Sequence, residues 1–204
     1  MAPETPPKLQ ILQQWNLTPE EISEIVSENP SLRGIMFGYV AEYKARIMWF
    51  SSSEFRDLRK PDDHDRTKKG DFIFTRKGHA ISVEVKSLQT ATVRHESGTF
   101  VGKFQCDASD RRKITLPNRQ TIETTCLLVG EFDLLAVNLF EFEKTWRFAF
   151  AKNSDLPRSK FRGYTNAQRK YLLATLMEVT WPVRPPFEAE PFRLLDEIVR
   201  ERRL

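Results

Sequence analysis

Several protein classes need more of certain residues than this chain of 204 residues contains. Its two cysteines, Cys106 and Cys126, make neither a disulfide framework nor a zinc ligand set, and a reducing, cytoplasmic setting is expected. The three histidines, His64, His79 and His95, are too scattered for a zinc site; His64, in "PDDHDR", reads as a solvated loop residue. No stretch approaches the roughly 20 apolar residues of a membrane span, and no charged-then-apolar leader opens the sequence. No membrane partner is expected. P-loop, G-x-G-x-x-G and G-x-S-x-G patterns are all missing, and no small-molecule cofactor is expected. There is no internal repeat and no low-complexity linker.

Charge of one sign is also scarce, with a net value of only +4. Its distribution is less even. Residues 102–119 hold five Lys/Arg against two Asp, and residues 152–170 hold six against one. Local cationic surfaces of this kind suit a polyanion such as nucleic acid, and they equally suit two solvated faces. Apolar residues make up 40% of the chain, with fifteen Phe and four Trp, which is ample for a core. One domain, with at most a small helical annex, is the expectation.

Along the chain, "MAPETPPK" reads as a mobile, proline-rich tail. "LTPEEISEIVSENP" opens a helix with Thr18 as N-cap and Glu21 closing a capping box, and Asn29–Pro30 should end it. "GIMFGYVAEYKARIMWF" is apolar nearly all round and predicts a buried helix. A charged loop follows over residues 53–70. Strands are expected near 99–106, in "FDLLAVNLF" and in "WRFAFA", with irregular or hairpin structure around "LPNRQ". Thr165 and Gln168 cap a helix expected to run through "AQRKYLLATLM". "WPVRPPFEAEP" reads as an extended connection, and "FRLLDEIVRERR" as an amphipathic terminal helix. Helices at both ends of a run of strands give a mixed α/β or α+β class.

The informative stretch is "GDFIFTRKGHAISVEVKS", residues 70–87, two strands around a glycine turn. With the turn centred between Lys77 and Gly78, Phe72 faces Val83, Phe74 faces Ile81, and Asp71 faces Glu84. Alternation puts Phe72, Phe74, Ile81, Val83 and Val85 on one face, the core. Asp71, Glu84 and Lys86 share the other. Opposed carboxylates with Cβ atoms about 5 Å apart repel unless a cation intervenes. Two arrangements answer this. A divalent metal could sit between the acids, with Lys86 orienting water and offsetting phosphoryl charge. Alternatively, Lys86 forms a plain ion pair with one acid. A three-residue loop would separate Asp71 from Glu84 altogether.

An acid at the start of one strand, followed by acid-x-Lys on the next, resembles the PD-(D/E)XK nuclease superfamily, with Asp71 and Glu84-Val85-Lys86 at those positions. Gly70 stands where proline usually precedes the first acid. Asp62 in "PDD" is a rival first acid, but it falls in a charged loop. The resemblance covers about residues 42–86 and extends less firmly to 151. It implies a restriction-endonuclease-like core of helix, three strands, helix and strand, a central mixed sheet flanked by helices. On this reading residues 1–33 form a tail and helical lead-in, 34–180 the nuclease-like domain, and 181–204 a proline-rich connection and helix packed on it.

The activity implied is that of a Mg²⁺-dependent endodeoxyribonuclease, possibly of restriction type, with Mn²⁺ able to substitute and DNA as partner. Asp71 and Glu84 would bind metal, with the Val85 carbonyl as a further ligand. Lys86 would position and activate the attacking water. Glu42, the one acid of its apolar helix, would be an accessory ligand; an i,i+4 pair with Arg46 is the alternative. Gln105, Lys103, Arg111 and Arg112 would hold the phosphate backbone. Asp133 reads as a strand-start residue that could border the site, while Asp107 and Asp110 have no assigned partner. A double-strand cut makes a homodimer plausible. Competing readings keep the fold as a non-catalytic nucleic-acid-binding or assembly module, or redirect cleavage to branched or single-stranded DNA or to RNA.

Overall fold

The computed structural model describes residues 11–62 and 70–203. The proline-rich opening, Asp63 and His64 lie outside the described residues. The chain divides into two compact units, residues 1–39 and 40–204. The boundary expected at residue 33/34 falls inside a helix.

In the first unit, α1 (Ile11–Gln14) leads to α2 (Pro19–Glu28). Thr18 caps α2 as expected: its hydroxyl accepts from the Glu21 N–H at 3.1 Å, and the Glu21 carboxylate accepts from the Thr18 N–H at 2.8 Å. Pro30 both ends α2 and opens α3 (Pro30–Trp49), because a helix's first position needs no N–H. No described side chain in this unit is buried.

The second unit holds the rest of α3 and all the strands. The expectation that this helix is buried is corrected: within α3 only Ala41 and Ala45 are, with Phe50 just past its end, while Tyr43 is 53% exposed and Val40, Ile47 and Met48 are also exposed. Two alanines four residues apart form a narrow stripe that lets the backbone approach the sheet closely. Apolar composition all round the helix does not reveal that only this stripe is covered.

β1 (Arg56–Arg59), β2 (Phe72–Arg76), β3 (His79–Ser87), β8 (Leu134–Asn138) and β9 (Phe148–Lys152) form a five-stranded sheet in the order β1-β2-β3-β8-β9. Between β3 and β8 the chain makes β4 (Arg94–Glu96), β5 (Thr99–Gln105), β6 (Asp107–Thr115) and β7 (Thr121–Cys126). β3 and β8 run parallel, and the other neighbours run antiparallel. The crossover joining that parallel pair is therefore built of strands where the resemblance implies a helix. β1 lies in the stretch expected to be a charged loop; as an edge strand it tolerates exposed arginines.

After β8 come α4 (Phe140–Glu143), α5 (Asn166–Arg169), β10 (Leu176–Trp181) and α6 (Phe192–Glu201). α5 stops well short of the expected Met177, because the following apolar run pairs as strand. β10, β5 and β4 form a second sheet, and β6 and β7 a hairpin. One face of the large sheet packs Phe72, Phe74, Ile81 and Val83 with Ala41, Ala45 and the α6 residues Leu194, Leu195 and Ile198. Its other face packs Leu135, Val137 and Ala149 with Phe104 and Val179 of the second sheet. β8 and β9 are buried along their whole length, because both faces of the sheet are covered there. The "WPVRPPFEAEP" connection borders β9, where Phe150 and Glu188 exchange two backbone hydrogen bonds of 2.8 Å.

Candidate active site

Lys77 (φ 50°) and Gly78 (φ 83°) form the two-residue turn between β2 and β3, a geometry that matches the twist of an antiparallel pair. The pairs Phe72↔Val83, Ile73↔Ser82, Phe74↔Ile81, Thr75↔Ala80 and Arg76↔His79 give the expected register. Asp71 lies just before β2, outside these pairs, and close enough to Glu84 for the two carboxylates to repel. The Asp71 N–H donates to the Val83 carbonyl at 2.7 Å, holding the strand end in line. Gly70 has φ +82°, and a Cβ there would sit 2.9 Å from the Val83 carbonyl oxygen. Proline, fixed near −65°, has no place at that position.

Glu84 and Lys86 lie on the β3 face opposite the helices, and Asp71 reaches β3 from the chain just before β2. Asp71 Oδ2 accepts from the Val85 N–H at 2.6 Å. Lys86 Nζ lies 2.7 Å from Glu84 Oε1 and donates to the Asp107 carbonyl at 3.4 Å. These side chains are largely covered, Glu84 being 13% and Lys86 22% exposed. Burial first, then the charge of Glu84, pushes the Asp71 carboxyl well above the usual carboxylate range; Lys86 pulls the other way, and Glu42 adds to the rise. Burial works against the Lys86 ammonium, but Glu84 and then Asp71 outweigh it, and Lys86 titrates above its ordinary range. Lys86 is held as a cation. Glu42, on α3, takes Lys60 as an ion-pair partner at 2.5 Å. Cys106, at the end of β5, is buried beside Lys86 and Glu84, and burial pushes its thiol up to about 12.

The other expected contacts are dispersed. Gln105 is exposed at the end of β5; its amide donates to Asp107 at 3.0 Å and accepts from Gln89 at 3.4 Å. Lys103 lies on β5, with its backbone N–H on the Thr92 hydroxyl at 2.8 Å. Arg111 and Arg112, expected to act together, are split. Arg111 is exposed, whereas Arg112 forks onto both carboxylate oxygens of Glu131 and donates to the Cys126 carbonyl at 3.2 Å. Its guanidinium is occupied within the fold. Asp133 accepts from the Ser82 N–H at 2.8 Å and hydroxyl at 3.0 Å and pairs with Arg202, so its carboxylate is engaged within the fold. Sequence reasoning missed Lys60 and Cys106 as neighbours. Lys60 is 18 residues from Glu42 in a stretch without apolar pattern, and Cys106 reads as an ordinary core residue.

Among the described residues, no three His, Cys, Asp or Glu side chains are disposed to grip an ion between them. Asp71 and Glu84 offer two carboxylates, which suits Mg²⁺, a cation that fills its remaining positions with water and phosphate oxygens. Asp71, Glu84 and Glu42 outnumber Lys86 and Lys60, so this covered cluster carries excess negative charge. That excess adds to the effect of burial at Asp71, and the two carboxylates could hold a divalent cation.

The sheet order makes this a mixed α/β fold with a five-stranded mixed sheet and a strand-built crossover. No family model and no curated protein matches the chain. Among solved structures the chain is similar to the bacterial homing endonuclease I-Ssp6803I, at 19% identity over 66% of this chain and 85% of that one, with a TM-score of 0.36. At that score the likeness decides neither fold nor activity, which rest on the chain's own topology and side chains.

Proposed function

We propose that this protein is a divalent-metal-dependent endodeoxyribonuclease that hydrolyses phosphodiester bonds in DNA. The observation that carries this reading is Asp71 fastened by the Val85 N–H beside Glu84, with Lys86 paired to Glu84 as a held cation. Asp71 and Glu84 would hold Mg²⁺ or Mn²⁺, with the Val85 carbonyl as a neighbouring oxygen and Glu42 acting through water. Bound there, the metal would supply Lewis-acid activation of water and phosphate. The Val85 N–H fixes one Asp71 oxygen and thereby orients the other. Lys86 orients the attacking water and offsets charge on the phosphoryl oxygens; as a held ammonium, it does not take the water's proton. Gln105, Lys103 and Arg111 are offered for backbone contacts, which give affinity and register rather than sequence reading. A homodimer would supply two sites for a double-strand cut, and the two buried, free cysteines suit a reducing cytoplasm.

Supercoiled and linear DNA incubated with Mg²⁺, Mn²⁺ or EDTA, beside Lys86→Ala and Glu84→Ala, tests the reading. Metal-dependent products that vanish in both variants are expected. Cleavage persisting in EDTA, or undiminished in the variants, would falsify it.

The Lys86–Glu84 pair at 2.7 Å and the Lys60–Glu42 pair favour a second reading, in which the cluster is a closed ionic lock in a non-catalytic nucleic-acid-binding module. Its DNA affinity would be indifferent to Mg²⁺ and fall steeply with salt. Labelled branched, single-stranded and RNA substrates separate the remaining nuclease variants.

A further inference from the structure

The basic run noticed between residues 152 and 170 plays no part in the site above. From Pro157 to Lys170 the chain carries Arg158, Lys160, Arg162, Arg169 and Lys170 and no acid. This segment has little regular secondary structure, yet it is firmly built. The Ser159 N–H donates to the Leu172 carbonyl at 2.8 Å, and the Ala174 N–H to the Pro157 carbonyl at 2.9 Å. The Tyr164 hydroxyl lies 2.6 Å from the Thr124 hydroxyl of β7, and the Tyr164 ring packs on Leu116, Cys126 and Leu172. Thr165 and Gln168 form a second capping box.

Phe161 sits at the outermost part of this turn. Its carbonyl accepts from the Tyr164 N–H at 3.2 Å and from Arg169 Nε at 3.0 Å, and its ring meets that of Tyr164 edge-on at 5.3 Å. Gly163 passes directly beneath; a Cβ there would crowd the ring. The backbone is pinned on both sides, yet the ring is left 65% exposed between the exposed Lys160 and Arg162. A large apolar ring held in water by a built turn and flanked by cations is arranged for a flat partner carrying negative charge. A nucleobase beside its phosphates has that chemistry. Arg111 of β6 is close enough for its charge to act on the Tyr164 phenol.

We propose that Phe161, with Lys160, Arg162, Lys170 and Arg111, forms a second DNA contact, in which the cations take phosphates and the ring wedges against a base step. This rests on the nucleic-acid reading above. The fold joins the two places: β6 starts at Asp107, whose carbonyl accepts from Lys86, and reaches Arg111 four residues on. Because β6 is bulged between Asp107 and Arg112, the separation is at most about 13 Å, under roughly four base-pair rises, so one bound duplex could touch both. Aromatic wedges of this kind unstack and kink a duplex.

The test is fluorescence anisotropy with a labelled duplex in EDTA, where no cleavage intervenes, with circular dichroism as the folding control. Phe161→Ala should weaken binding about 5- to 150-fold, the range for loss of one stacked base, with the salt slope unchanged. The Lys160→Ala/Arg162→Ala double variant should lower the slope of log affinity against log salt by about 1.8. Variants that bind as tightly as the parent, or a parent that does not bind duplex, overturn the proposal. Cleavage by the parent in Mg²⁺ is scored separately. Cleavage with unaltered variant affinity removes the wedge and leaves the nuclease; variant-sensitive binding without cleavage does the reverse.

Discussion

Asp71 accepts a hydrogen bond from the Val85 N–H at 2.6 Å, so the acid of β2 is fastened to the residue between Glu84 and Lys86. The three chemical groups of the hairpin therefore move as one piece, and changes at Asp71 separate charge from geometry. Asp71→Asn keeps an acceptor for Val85 but removes a covered acid beside Glu84. Without metal, its melting temperature should equal or exceed the parent's. Mg²⁺ should raise the parent's melting temperature, by the equivalent of about 2.7 kcal/mol at a hundred times its dissociation constant, and leave Asp71→Asn unmoved. Thermal shift measures this without any cleavage assay; equal metal responses count against Asp71 as a ligand.

Gly70 gives a backbone prediction. At φ +82° with the Val83 carbonyl 2.9 Å from a would-be Cβ, Gly70→Ala should cost about 1–3 kcal/mol, and Gly70→Pro more. Urea denaturation reads the loss. A neutral result for Gly70→Ala would contradict the tight approach to β3.

The two arginines of β6 should part company. Arg111→Ala should leave stability within about 0.5 kcal/mol and lower the salt slope of DNA binding by about 1. Arg112→Ala breaks the fork on the mostly covered Glu131 and should destabilise by about 1–3 kcal/mol. Paired stability and anisotropy measurements on both variants check the division.

Acid should weaken one identifiable contact. Asp196 on α6 lies 2.8 Å from Lys77 and 3.2 Å from Arg76, and the hydrogen bond to Lys77, aided by the Arg76 charge, holds its carboxyl below the ordinary range. A depressed carboxylate stabilises the fold above its unfolded value of about 3.9, and that contribution fades as pH falls through the lower folded value. Asp196 is well exposed, so the effect at neutral pH should be only a few tenths of a kcal/mol. Asp196→Asn should show that deficit at pH 7 and none near pH 2 in urea titrations.

The two faces of α3 should respond oppositely. Ala45→Leu forces bulk into a closed contact and should cost about 1–3 kcal/mol. Ile47→Ser, on the exposed side, should stay within about 0.5 kcal/mol. Denaturation midpoints decide, and equal costs would contradict the one-sided covering of the helix.

The hairpin was fully legible in the sequence because two independent signals agreed: strict alternation of Phe72, Phe74, Ile81 and Val83, and a turn dipeptide that permits positive φ. The Thr18 box and the α6 stripe were legible for the same reason, a local rule with a local cause. Elements governed by their neighbours were not. β1 reads as a loop because an edge strand needs no apolar face. The run after Arg169 reads as helix because a short apolar segment suits either period. The covering of α3 depends on which side meets the sheet. At the site, the face shared by Glu84 and Lys86 followed from register, whereas Lys60 and Cys106 arrive through tertiary contacts that no spacing encodes. The commitment of Arg112 to Glu131, 19 residues away, was equally invisible.

The strand-built crossover bears on how the molecule is made. During synthesis the hairpin with Glu84 and Lys86 emerges early, but its inner edge stays open until Leu134–Asn138 follows, about 50 residues later. Four further strands must be placed before that edge closes. A nascent or truncated chain can thus hold every motif residue while presenting a bare apolar β edge, a template for pairing with another chain. Recombinant fragments ending near residue 130 should precipitate rather than show partial activity.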